Sequence, residues 1–164
     1  MNLARTKRIT VAALFGALIC IATALVQIPS PATGGFLNLG DCFVITAGMC
    51  LPSPYAAAGA GIGSALADII TGHAVYAPGS FIIKALMALA VNFLFKITGK
   101  KVIPAVISEI IMVSGYFGYE AVIIKLGMAA SGSLVFNLIQ GVIGTVISVI
   151  LVAALKKTKI INEL

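Results

Sequence analysis

Apolar residues run almost from end to end of this chain and are interrupted by Pro, Gly and small clusters of charge. That punctuation marks six segments, at about 8–28, 40–52, 54–72, 79–97, 102–124 and 133–155. A helix needs about 20 mainly apolar residues to cross a hydrocarbon core about 30 Å thick, because each residue rises about 1.5 Å. The pattern therefore predicts an all-α integral membrane protein: a six-transmembrane-helix bundle, several of its spans short, forming one transmembrane domain over residues 1–164. "IPSPATGGFLN" lies between the first two segments. Its prolines and paired glycines cannot continue a helix, and its length predicts a structured loop. "LPSP" predicts a tight turn.

Composition agrees with the pattern. Hydrophobic residues make up 60% of the 164, only 10% are charged, and Trp is absent; mean hydropathy is +1.14. Soluble domains are about 45–50% apolar. The basic start followed by an apolar run resembles a signal peptide, yet the run extends to Pro29 with no small-residue cleavage site, so it reads as a retained helix. Cys20, Cys42 and Cys50 show neither CxxC nor zinc-like spacing and read as small buried side chains. Neither a metal nor a cofactor is expected.

The formal charge of +6 is explained by topology and not by nucleic acid, because the basic residues gather at chain ends and turns. Arg5, Lys7 and Arg8 precede the first segment, Lys96, Lys100 and Lys101 sit at the fourth turn, and Lys156, Lys157 and Lys159 follow the sixth. By the positive-inside rule these positions place both termini in the cytoplasm. The outer connections are then 29–39, 73–78 and 125–132, which hold most of the irregular sequence.

Polar residues also favour the outer half. Asp68 near the end of segment three and Lys84 near the start of segment four fall at similar depth and are expected to pair, or to face a ligand cavity. His73 and Tyr76 come from the intervening "GHAVYAPG" and offer a hydrogen-bonding imidazole and a flat ring with a hydroxyl. Tyr116 and Glu120 are four apart and share a helix face, Tyr119 lies beside them, and Asn137 and Gln140 share a face three apart. Together with Asn38 and Asp41 they outline a cup open to one side. Glu109, near mid-depth, is the main exception. Each residue also has a plain structural role open to it: an ion pair, an interfacial anchor, or an amide joining helices.

Two rows of small residues complete the picture. Ala13 and Ala17 are four apart on the first segment beside Ala12 and Gly16, and Gly59 and Gly63 form a similar row on the third. Such rows let helices approach closely.

With "QIPSPATGGFLNLGD" and "AAAGAGIGSALADIITGHAVYAPGSFIIKALMA" the chain resembles, over nearly its whole length, the substrate-binding S components of energy-coupling factor (ECF) vitamin transporters, in the riboflavin, hydroxymethylpyrimidine and pyridoxine subgroup. The resemblance implies a binding subunit in a prokaryotic plasma membrane that captures a small water-soluble vitamin and works with a transmembrane coupling protein and two cytoplasmic ATPases. It also implies that Ala13 and Ala17 correspond to the family's docking motif for the coupling protein. Pocket candidates are Asn38, Asp68, His73, Tyr76, Lys84, Tyr116, Tyr119, Glu120, Asn137 and Gln140. With no Trp and mostly small polar groups, a single-ring ligand such as pyridoxine or hydroxymethylpyrimidine fits these better than riboflavin. The sequence lacks GxxxxGK[ST], so energy must come from a partner. Two other readings are an ion-coupled carrier relaying protons through Asp68, Glu109 and Glu120, and a membrane enzyme with Asp68 and His73 as an acid/base pair.

Overall fold

The computed structural model describes residues 3–30 and 33–157; Lys159, counted in the charge pattern, lies outside them. Six α-helices account for most of the described residues: α1 (Leu3–Leu25), α2 (Gly40–Cys50), α3 (Ser53–Ile70), α4 (Ala77–Thr98), α5 (Val102–Gly118) and α6 (Leu134–Lys157). Four helical stretches, Leu3–Leu25, Ala77–Thr98, Val102–Ile123 and Gly127–Lys157, are long and apolar enough to cross a membrane. The loop after α1 is not wholly irregular. Strands β1 (Ile28–Pro29) and β2 (Phe36–Leu37) pair antiparallel, with Ile28 opposite Leu37, and Gly34 at φ +72° turns the chain between them.

α2 forms the axis of the bundle. Ten of its eleven residues are buried, and it packs against α1, α3, α4 and α6. Its C-terminal carbonyls are satisfied from α4, where Asn92 Nδ2 donates to the Gly48 and Leu51 carbonyls at 3.0 and 2.6 Å. Ser53 Oγ donates to Asn92 Oδ1 at 2.6 Å, which fixes the turn into α3. One amide thereby supplies orphan groups at a helix end that no water reaches.

α1 and α3 meet through their small residues. A methyl built on Gly59 would lie 2.7 Å from the Ala12 carbonyl oxygen, and one on Gly63 would collide with the carbonyl of Gly16. Gly59 and Gly63 thus bring two backbones to a separation that any side chain would forbid. Ala12 faces this contact, while Ala13 and Ala17 are exposed on the other side of α1.

α3 ends in a Schellman turn: Gly72 at φ +84° lets the His73 N–H reach the Asp68 carbonyl at 2.7 Å and its own N–H reach that of Ile69 at 3.3 Å. The chain reverses through short connections after α2, α3 and α4, so ends alternate. Lys156 lies 4.7 Å from the Phe95 ring centroid, bringing the end of α6 beside the end of α4. The hairpin, the α3–α4 turn, and the π turn (Tyr119–Ile123) and 3-10 segment (Gly127–Ser133) that follow α5 gather at the opposite end.

Candidate functional site

At that opposite end a small cavity of about 30 Å³ is lined by Gly35, Phe36, Asn38, Asp68, Tyr76, Ser80, Tyr116, Glu120, Asn137 and Gln140. Each element contributes through its local structure. The β hairpin supplies Gly35 and Phe36. Asn38 follows it in an Asx-type turn, its Oδ1 accepting from the Gly40 N–H at 2.9 Å where α2 begins. α3 contributes Asp68 in its last turn, just before the Schellman cap. The π turn beyond α5 carries Glu120, which is buried, and its wider backbone ring is closed by Ile124 N–H donating to the Tyr119 carbonyl at 3.0 Å.

Hydrogen bonds tie the loop to the helices. The Asn38 N–H donates to Gln140 Oε1 at 2.7 Å. Tyr76 presents its hydroxyl to the Thr33 carbonyl at 2.8 Å and to Glu120 Oε1 at 3.2 Å, a shared donor. Burial, and then the charge of Glu120, push the Tyr76 phenol up to about 12. The phenol therefore stays protonated, and remains a donor, at any pH near neutral. Ser133 Oγ donates to Glu120 Oε2 at 2.5 Å, and Tyr116 and Ser80 share a hydroxyl bond of 2.7 Å.

Behind the cavity, joined to it through Gln140, lies a buried ion pair, and its partners differ from the expected ones. Lys84 pairs with Asp41 of α2 and not with Asp68. Gln140 Nε2 donates to the other Asp41 oxygen at 2.6 Å, and the Lys84 ammonium lies 5.2 Å from the Tyr116 ring centroid. Lys84 and Asp41 are 2% and 0% exposed. The sequence places Asp68 and Lys84 at similar depth, but α2 runs through the middle of the bundle and brings Asp41 closer.

Asp68 is 4% exposed and lines the cavity; its Oδ2 has no partner in hydrogen-bond geometry among the described residues, and the donor beside its carboxyl is the Ser80 hydroxyl that is shared with Tyr116. A buried acceptor without a donor is costly.

Asn38, Asp68, Tyr76, Tyr116, Glu120, Asn137 and Gln140 therefore come together, while three candidates stand apart. Lys84 lies in the ion pair and not on the cavity wall. His73 packs against Phe36 in a tilted contact, 4.6 Å between ring centroids, with Nδ1 3.2 Å from Thr71 Oγ1. Tyr119 turns outward to donate to the Val75 carbonyl at 2.8 Å. Gly35, Phe36 and Ser80 line the wall without having been singled out from the sequence. Phe36 and Ser80 lack charge and carry no pattern, but Ser80 is four residues before Lys84 on α4, a face the sequence marks.

A small, largely polar cavity at one end of an apolar helical bundle fits a membrane-embedded small-molecule binding protein. Residues 3–157 match the family of the ECF-type riboflavin transporter, S component, and the chain belongs to that family. It is 32% identical over 132 residues to an uncharacterized protein in the gap 3' region of Pyrococcus woesei, covering 79% of this chain and 88% of that one. It is also 29% identical over 157 residues to the thiamine precursor transporter HmpT of Lactococcus lactis subsp. cremoris (strain MG1363), covering 95% and 92%. The protein is thus a transporter component of the prokaryotic plasma membrane, acting in uptake of a vitamin or vitamin precursor, and not an enzyme.

Proposed function

We propose that this S component captures a single-ring nitrogen heterocycle, of the hydroxymethylpyrimidine or pyridoxine kind, from outside the cell. The observation that carries the reading is the unpartnered Asp68 Oδ2 on the wall of the cavity, which awaits a donor such as an exocyclic amine, a hydroxyl or a protonated ring nitrogen. Asn137, Gln140 and Glu120 surround it with further polar groups, and Tyr76 and Tyr116 offer flat faces. The name of the Lactococcus relative, a thiamine precursor transporter, points the same way. A volume of about 30 Å³ holds about one water, so a ring requires the cavity wall to move. Three fused rings would require far more.

In this reading the bundle crosses the membrane six times, with α2 and α3 as its short members and both termini in the cytoplasm. The hairpin end faces outward, as the basic residues at the other end support. A transmembrane coupling protein and two cytoplasmic ATPases complete the transporter. Ala13 and Ala17, exposed on α1 while their neighbours Ala12 and Gly16 are used up against α3, form a small-residue face for the coupling protein.

Mass spectrometry of small molecules released from the purified chain identifies the ligand without a prior guess. Titration calorimetry with hydroxymethylpyrimidine and pyridoxine then tests the site: Asp68→Ala is expected to weaken binding at least about tenfold, since a hydrogen bond to a charged group is worth about 1.5–3 kcal/mol. Release of a compound with no nitrogen ring, or unchanged affinity in Asp68→Ala, refutes the assignment.

A further inference from the structure

Glu109, on α5 below the cavity, has no role in ligand capture and an unusual environment. It is 5% exposed, and neither carboxylate oxygen has a hydrogen-bond partner among the described residues. It packs into a notch of α6 made by two glycines. A methyl on Gly141 would lie 3.1 Å from Glu109 Cβ, and one on Gly144 would lie 2.5 Å from Glu109 Oε1 and 3.1 Å from Asp41 Cβ. Glu109 and Asp41 thus rest against the same stretch of α6 backbone. On its other side Glu109 borders an apolar groove of about 580 Å³ between α5 and α6, lined by Val106, Ile110, Val113, Leu138, Val142 and Val146.

The titratable and charged groups facing Glu109 are Asp41 and Cys42 from α2 and Lys84 from α4, while α6 contributes only glycines and the neutral amide of Gln140. Two carboxyls therefore share one ammonium. If both are ionised, the buried cluster keeps a net negative charge, which is costly; carboxyls that share a site resolve this by holding one proton. Asp41 has its oxygens occupied, by Lys84 on one and by the Gln140 amide on the other. Glu109 has no donor in hydrogen-bond geometry on either oxygen among the described residues, and the Asp41 carboxyl is the group set against it.

We propose that Glu109 is a proton-binding site: at neutral pH its side chain is a neutral carboxylic acid whose proton balances the Asp41–Lys84 pair. The site is wired to the cavity, because Gln140, which bonds Asp41, also holds Asn38 and lines the cavity wall. A ligand that draws the Gln140 amide away leaves Asp41 short of a donor that the Glu109 hydroxyl can replace. Occupancy of the cavity and the hold on this proton are then linked, and linkage is reciprocal. The inference does not depend on which ligand the cavity takes.

Infrared difference spectra of the purified full chain in lipid nanodiscs at neutral pH, wild type minus Glu109→Gln, decide it. The carbonyl stretch of a neutral carboxylic acid is expected in the difference; the paired stretches of an ionised carboxylate in its place overturn the proposal. Because Asp68 also faces Lys84, Asp41→Asn is combined with Asp68→Asn, which leaves Glu109 as the carboxylate opposite Lys84 among the described residues, and there the acid band is expected to give way to the carboxylate bands. Persistence of the acid band in that variant overturns the charge-balance argument. If that double variant fails to fold, the Glu109→Gln spectrum, from a substitution of nearly unchanged shape, remains decisive.

Discussion

Lys84→Met tests whether the ion pair beneath the cavity organises the bundle. The substitution keeps the length of the stem and deletes the charge, leaving Asp41 buried with Gln140 as its remaining donor. Removing one member of a buried pair costs about 3–5 kcal/mol. At about 2–4 °C per kcal/mol for a chain of this size, a melting-temperature drop of about 6–20 °C is expected. The free thiols allow the measurement, since Cys42 and Cys50 are buried and react with a thiol-sensitive fluorophore on unfolding. The double variant Lys84→Met with Asp41→Leu is expected to recover most of the loss, because a matched apolar replacement of a buried pair is often near neutral. A single variant that melts within about 2 °C of wild type, or a double variant less stable than the single one, refutes the reasoning.

Other substitutions probe separate parts of the bundle. Gly63→Ala forces a methyl against the Gly16 carbonyl, so α1 and α3 must part; a fall in melting temperature of several degrees is expected, whereas Gly34→Ala, with no atom near its added methyl, acts only through its positive φ and is expected to cost less. Tyr76→Phe removes the hydroxyl that ties Thr33 to Glu120, worth about 1 kcal/mol. It is expected to speed limited proteolysis of the 26–39 loop severalfold; an unchanged cleavage rate shows that this tie does not hold the loop. Ala17→Leu is expected to reduce copurification with the coupling protein while leaving ligand affinity within about twofold, and an equal loss of both removes the distinction between docking face and pocket.

Much of this arrangement is legible in the sequence because membrane chains announce their polar exceptions. Tyr116 and Glu120 four apart, and Asn137 and Gln140 three apart, point to shared faces, and those faces do meet at one cavity. What periodicity cannot supply is which helix stands opposite. Lys84 and Asp68 match in depth, yet the partner of Lys84 is Asp41, because the short α2 is inserted along the axis and is buried on all sides. A helix with no polar face leaves no period from which its neighbours follow. His73 and Tyr119 look like recognition chemistry by residue type, but Phe36 and a backbone carbonyl of the α3–α4 turn claim them instead. The hairpin escaped notice for a related reason: two-residue strands carry no alternation.

The shortness of α2 reaches beyond topology. Eleven residues rise about 16 Å, roughly half the thickness of a hydrocarbon core, and the hairpin of β1 and β2 precedes the helix at its N-terminal end. That hairpin supplies one side of the cavity and is tied to the helices by the Asn38 N–H on Gln140 and the Tyr76 hydroxyl on Thr33. Substitutions in it can retune which molecule is accepted, while Asp68, Tyr116, Asn137 and Gln140 keep the remainder of the wall on the helices that also hold the bundle together.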